Sequence, residues 1–445
     1  MKKNFRDFAF GYAKNPVFQT RLKGGIFMQL FDVLKARAGL PVDDPFAVLF
    51  AKHSMKPTPP VVAEHYGIRW RKTPSASPTI EYLYDAENFT PVTMTNDGVS
   101  LGDWANAFFV KNNYPVMCRF DGTEDYRLDP LDHTKKLDGT TSDVTNESYA
   151  GNAMSCFDCH IWMKFWEDED DDGWNYVEVS NRQLDENFVD YPYIRANGTH
   201  AEKLYYPMFE GRIIDGKLRS VGTGYATNYT TPVQFDTAAK ATGQNWMIGD
   251  WHHHMWMLWL HTMMAKSFIF KNGFGRGHYG SSGNILSNGS CMSRGQFYGS
   301  DSTADAVKSF YCENLWGNHW KNILGIIAEN PSNGKADYYI KQAPPYTTDG
   351  THDDYVYCGK GIYTQGAITA VKATPIGFIP SESSGYNSGW ARHYCNSGGG
   401  AICATGFCEL PDWNYTEWTM SWVLNNDSYW GTCCSVYLKQ PEVSS

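Results

Sequence analysis

No stretch of this 445-residue chain is apolar for the length of a membrane span; the most apolar run, Met255 to Met264, is interrupted by His261 and Thr262. Membrane insertion is therefore not expected. No basic run exceeds a pair such as Lys135-Lys136, and the net charge is -10, so a nucleic-acid partner is not expected either. No apolar signal-peptide core follows Met1-Lys2-Lys3-Asn4, and the expectation is synthesis in a bacterial cytoplasm. The 11 cysteines are odd in number and irregular in spacing, which gives no disulfide framework. Cys156 and Cys159 stand three apart with no second such pair at zinc-ribbon spacing. They read either as small buried apolar groups of a strand or as half of a metal or redox pair. No Gly-x-Ser-x-Gly or His-Glu-x-x-His occurs, and nothing marks a pair of carboxylates set across a cleft. No catalytic residue, cofactor or metal is expected.

What the chain has instead is aromatic area: 16 Trp and 28 Tyr, with 41 Gly and only 19% charged residues. That balance predicts many short strands and ordered turns, in an α+β fold with few helices. Three regions follow. Residues 1–60 carry apolar positions at helical spacing (Phe27, Leu30, Phe31, Leu34, Ala38) and end in Pro57-Thr58-Pro59-Pro60. They read as a short helical attachment or oligomerisation region, or as helices folded back on the body. Residues 61–150 read as strands and turns, with a hairpin from Val116 to Leu128 around Asp121-Gly122-Thr123. Residues 151–445 begin with strands in Met154–Trp166 and Trp174–Val179, joined by the acidic tip Glu167 to Asp172. That tip reads as a solvated turn or as a calcium site without the EF-hand order. A helix runs from Asp250 to about Lys266, with Met255, Leu258, Trp259, Thr262 and Met263 as its inner face. His252, His253 and His254 are about 100° apart on such a helix and cannot chelate one ion; a partly exposed helix start with one or two packed imidazoles is expected. Asn272 to Gly277 reads as a loop, without the features of a phosphate-binding one.

The densest pattern is Cys312-Glu313-Asn314-Leu315-Trp316-Gly317-Asn318-His319-Trp320. Gly317 and Asn318 are the residue types that tolerate φ > 0, so a tight bend is expected, anchored by Trp316 and Trp320. The stretch resembles the Leu-x-Gly-Asn-x-Trp signature of the formylglycine-generating-enzyme-like branch of the C-type lectin fold. It resembles more closely the Glu-Asn-Leu-Trp-Gly-Asn-x-Trp form of phage and prophage tail and receptor-binding proteins. Leu128-Asp129-Pro130 to Gly139, Tyr205-Tyr206-x-x-Phe209-Glu210-Gly211, and Gly431 to Leu438 continue the resemblance in order, over roughly 115–438. The last of these lacks the Arg of the family's terminal strand. The resemblance implies a C-type-lectin-like domain at 151–445 with Glu313, Asn314, Trp316, Gly317, Asn318 and Trp320 as its fold signature.

It also implies where contacts are made. Trp413, Asn414, Tyr415, Trp418, Asn425, Asn426, Tyr429 and Trp430 lie in an aromatic and amide-rich segment between two strand-like runs. Rigid rings and adaptable polar groups suit a contact surface. The alternative is that its tryptophans are core under a long loop. The cysteines Cys395, Cys403, Cys408, Cys433 and Cys434 do not reproduce the copper pair of the oxidising relatives. The expectation is a non-enzymatic bacteriophage virion protein: a tail-tip receptor-binding protein presenting a lectin-like face to a host receptor or glycan, in contact with other virion proteins and homo-oligomeric, a trimer among the options. A purely structural neck, baseplate or head-decoration protein is the alternative, and a formylglycine-generating-type oxidoreductase a third.

Overall fold

Alternating apolar and polar residues in short runs, punctuated by Gly, Asn and Asp, give a chain dominated by antiparallel sheets. A computed structural model describes residues 63–442 apart from positions 76, 96–97, 270, 279–284, 303, 363–365, 375, 385–390, 396–401, 406–419 and 425–431. The expected helices of 1–60 thus lie outside the described residues, as do Trp413, Asn414, Tyr415, Trp418, Asn425, Asn426, Tyr429 and Trp430.

Three sheets make the body. A four-stranded sheet runs in the order Glu81–Tyr84, His65–Arg71, Trp174–Ser180, Trp162–Glu167. The expected hairpin across the acidic tip is its last pair, with Trp166 opposite Tyr176. A six-stranded sheet runs Trp246–Ile248, Val436–Lys439, Leu204–Pro207, Gly151–Phe157, Asn113–Arg119, Glu124–Arg127. Its outer pair is the hairpin expected around Gly122. A nine-stranded sheet gathers Trp320–Ser332 and strands beyond it, and takes in Met420–Leu424 between Ile402–Thr405 and Ala391–Cys395. Part of the segment expected as surface is therefore sheet.

The boundary expected at 150 is not a structural one. Asn113–Arg119 pairs with Gly151–Phe157, and His65–Arg71 pairs with Trp174–Ser180, so both sides share two sheets. Ala63–Ser445 is one compact unit.

The helix Trp251–Ala265 lies within this frame. Asp250 caps it by accepting the His253 amide, and Lys266 ends it in the left-handed region at φ 51°. Every residue from Trp251 to Met264 is buried, as suits a helix that is apolar all round. Trp259 stacks on Trp70 of the four-stranded sheet at 5.4 Å, and the Trp256 indole donates to the Ile161 carbonyl at 2.9 Å. On the other side the Tyr206 hydroxyl donates to the His253 carbonyl at 2.9 Å. The expected inner face is thus only part of what is covered. The expectation of a partly exposed helix start is corrected: His252 and His253 are fully buried and His254 is 8% exposed. A short helix, Lys271–Phe274, opens the segment expected as a loop.

Candidate functional site

The bend forms because two adjacent residues can turn left-handed. Gly317 has φ 77° and Asn318 has φ 61°. A Cβ on Gly317 would lie 2.9 Å from the His278 amide nitrogen, so the position also demands the smallest residue. Trp316 is buried, donates from its indole to the Gly275 carbonyl at 3.2 Å, and meets His261 edge-on at 5.2 Å. After the bend the chain runs out as Trp320–Ser332, with Trp320 opposite Thr432 and Lys321 opposite Cys433 in a parallel pair. The bend is therefore seated beside the terminal strands.

Extended backbone after the bend puts His319 and Lys321, two residues apart, on one side. Both face Glu210. His319 Nδ1 lies 2.9 Å from Glu210 Oε2, the Lys321 ammonium donates to Glu210 Oε1, and the Asn318 side-chain amide donates to Oε2 at 2.5 Å. Lys321 also donates to the carbonyls of His319 (2.9 Å) and Gly317 (3.2 Å). Cys433 closes the group, with Sγ 3.9 Å from Glu210 Oε1. Glu210 is fixed by its neighbour: the Gly211 amide donates to the Cys434 carbonyl at 2.9 Å, and a Cβ on Gly211 would strike that oxygen. Burial would raise the Glu210 carboxyl, but Lys321 and His319 beside it hold it down at about 2. It is an ionised carboxylate in a dry site.

The motif's acidic residue behaves differently. Glu313 accepts the amides of Gly289 (2.9 Å) and Cys291 (2.8 Å), which ties a loop to the bend. Burial pushes its carboxyl up to about 7, against the pull of Lys308 and the amides. Lys308 instead meets His133 Nε2 at 2.6 Å and donates to the Cys291 carbonyl at 2.8 Å. Burial lowers both of them, Lys308 to about 8 and His133 to about 3.

A small cleft adjoins the bend, lined among others by His254, Asn314, Lys321, Asn322 and Tyr437. Both side-chain polar atoms of Asn314 and Oδ1 of Asn322 are buried there without a hydrogen-bond partner. Burial lowers His254 to about 3 and His252 and His261 to about 4, so these imidazoles are neutral. His261 is satisfied by the Met257 carbonyl and the Ser309 hydroxyl, both at 2.6 Å.

The structure thus brings Glu313, Asn314, Trp316, Gly317 and Asn318 together, and the backbone of Trp320 with them. The sequence did not single out Glu210, His319, Lys321 and Cys433 as a group. The only available signal was the alternation of His319 and Lys321 after a bend. Cys433 and Cys434 face opposite ways: the Cys434 sulfur approaches the Asn322 carbonyl at 3.7 Å while Cys433 turns to Glu210. Cys156 is fully buried in its strand and its thiol is pushed up to about 12, as the apolar-packing alternative expects, whereas Cys159 lies beyond the strand's end at Phe157 and is only partly buried. No protein-family model matches the chain, and no curated protein matches it.

Proposed function

We propose that this chain is a non-enzymatic bacteriophage virion protein whose C-type-lectin-like body presents a contact face to the host surface. The observation that carries the reading is the left-handed Gly317-Asn318 bend seated against the terminal strands. It supports the resemblance because it gives the signature residues a structural reason. The contact residues fall in two stretches, 413–418 and 425–430, and described strands lie before, between and after them: Ile402–Thr405, Met420–Leu424 and Thr432–Cys433, the last paired with Trp320–Ser332. Segments tethered to a sheet at their ends suit a contact face, because less order has to be gained on binding. The diverging sulfurs of Cys433 and Cys434 argue against these two together as the copper pair of the oxidising relatives.

The test pairs binding with stability. Trp413→Ala, Tyr415→Ala and Trp430→Ala should each weaken attachment of the purified chain to host cells by about tenfold or more, as aromatic anchors at an interface centre do. Thermal unfolding should shift little. Unchanged attachment with a large loss of stability would place those rings in a core and overturn the reading. Loss of incorporation into particles, with host binding intact, would favour a purely structural virion component.

A further inference from the structure

We propose that Glu210, His319 and Cys433 form a buried site for one thiophilic divalent cation of the zinc class, and that the Lys321 ammonium stands in for it when no ion is bound. This goes beyond the attachment reading, does not depend on it, and departs from the sequence expectation of no metal.

The first support is the donor set. One carboxylate oxygen, one imidazole nitrogen and one sulfur lie within 4.8 Å of one another. All three residues are at least 99% buried. Mixed oxygen, nitrogen and sulfur donors suit zinc, whereas calcium and magnesium take oxygen alone. The donors come from three segments held in register by the Gly211–Cys434 hydrogen bond and the Lys321–Cys433 strand pair. The group is therefore positioned by backbone rather than by chance side-chain approach.

The second support is charge. In the present state one carboxylate is balanced by one ammonium. A divalent ion would bind the carboxylate and a thiolate, again summing to zero, with the Cys433 thiol proton released to solvent on binding. The carboxylate is answered in both states, and the displaced Lys321 ammonium is one further positive charge that the cleft carries in the metal-bound state. His319 is only half answered: Nδ1 faces Glu210, while Nε2 is buried with no hydrogen-bond partner.

The third support is that the lysine has somewhere to go. Lys321 lines the cleft whose walls carry Asn314 Oδ1 and Asn322 Oδ1, both buried acceptors without donors. Moving there, the ammonium would satisfy those oxygens and vacate the fourth ligand position for water.

The experiment uses the full chain refolded with Co²⁺ in place of Zn²⁺. One equivalent should give the ultraviolet sulfur-to-cobalt charge-transfer band and the intense visible bands of tetrahedral cobalt. Cys433→Ser should fold and lose the charge-transfer band. Lys321→Met removes the competing cation and should bind Co²⁺ at least about tenfold more tightly than the parent. Zn²⁺ should also raise the unfolding temperature of Lys321→Met well above its value in chelator, because that variant otherwise buries a carboxylate without its ammonium. If Lys321→Met folds only with Zn²⁺ present, the proposal stands. No sulfur band in either parent or Lys321→Met, or a band that survives Cys433→Ser, overturns it.

Discussion

Two glutamates, each buried and each near a buried lysine, differ in charge because of what reaches the carboxylate: Lys321, His319 and Asn318 at Glu210, backbone amides at Glu313. Glu210 receives the Lys321 ammonium directly and is held at about 2. Glu313 has only backbone amides, while its lysine turns to His133 and the Cys291 carbonyl, and its carboxyl rises to about 7. Residue types and burial are nearly matched at the two sites. Whether the cation shares a hydrogen bond with the carboxylate decides which site holds an ion pair.

The largest expected effect breaks the pair at Glu210. Lys321→Met, measured in chelator at pH 7, should lose about 3–5 kcal/mol, the usual result of stranding one partner of a buried ion pair. Lys308→Met should lose less than half of that, because Lys308 is already lowered to about 8 and does not touch Glu313. Chemical denaturation of both variants makes the comparison. Equal losses would show that the direct contact is not what separates the sites.

Next comes pH. The folded value of Glu313, about 7, lies above its ordinary 4.5, so the folded chain holds a proton that the unfolded chain releases between those values. The stability from this group is fully present below about 4.5 and is lost as pH rises through about 7, by roughly 3 kcal/mol at 1.36 kcal/mol per unit. Relative to Glu313→Gln, the parent should therefore lose stability between pH 5 and pH 8. Parallel stability profiles for the two proteins over that window would mean that Glu313 stays ionised. Glu210, with its value near 2, should give no such slope in the same window.

The bend itself tests how much of the site rests on backbone. Gly317→Ala places a Cβ in the left-handed region and against His278, and should lose about 2 kcal/mol or more. Gly139→Ala, at φ 85° with nothing within 4 Å of the added carbon, should lose about 1 kcal/mol from conformation alone. If both lose the same amount, the close approach of His278 carries no weight.

What the sequence showed follows from range. The hairpins at Asp121-Gly122-Thr123 and at the acidic tip, the capped helix after Asp250, and the Gly317-Asn318 bend are set by neighbours a few residues apart, and each was readable. Glu210 meets His319 across 109 positions and Cys433 across 223, and no spacing rule reaches that far. The three histidines were misjudged for a related reason. A polar residue type suggested solvent, while Asp250, the Lys341 carbonyl and the surrounding rings make room for neutral imidazoles inside. The boundary at 150 failed because strand pairing, not composition, joins Asn113–Arg119 to Gly151–Phe157.

The smallest effect is expected where carboxylates stand in water. The tip from Glu167 to Asp172 has six acidic residues, but its inner members are already engaged. Glu167 accepts the Ala373 amide at 2.8 Å and lies 3.6 Å from Lys72, and Asp168 accepts the Trp174 amide at 3.0 Å. Asp170, Asp171 and Asp172 remain at the exposed turn. Calcium takes six to eight oxygens converging on one point, and with Glu167 and Asp168 engaged elsewhere the exposed turn keeps too few carboxylates for that. Replacing Asp170, Asp171 and Asp172 together with Asn should change stability by no more than about 0.5 kcal/mol. Millimolar calcium should leave the unfolding temperature of the parent where it is. A calcium-dependent rise that the triple variant lacks would show that the tip can gather its carboxylates, and that exposure alone does not decide which acidic groups in this chain hold a cation.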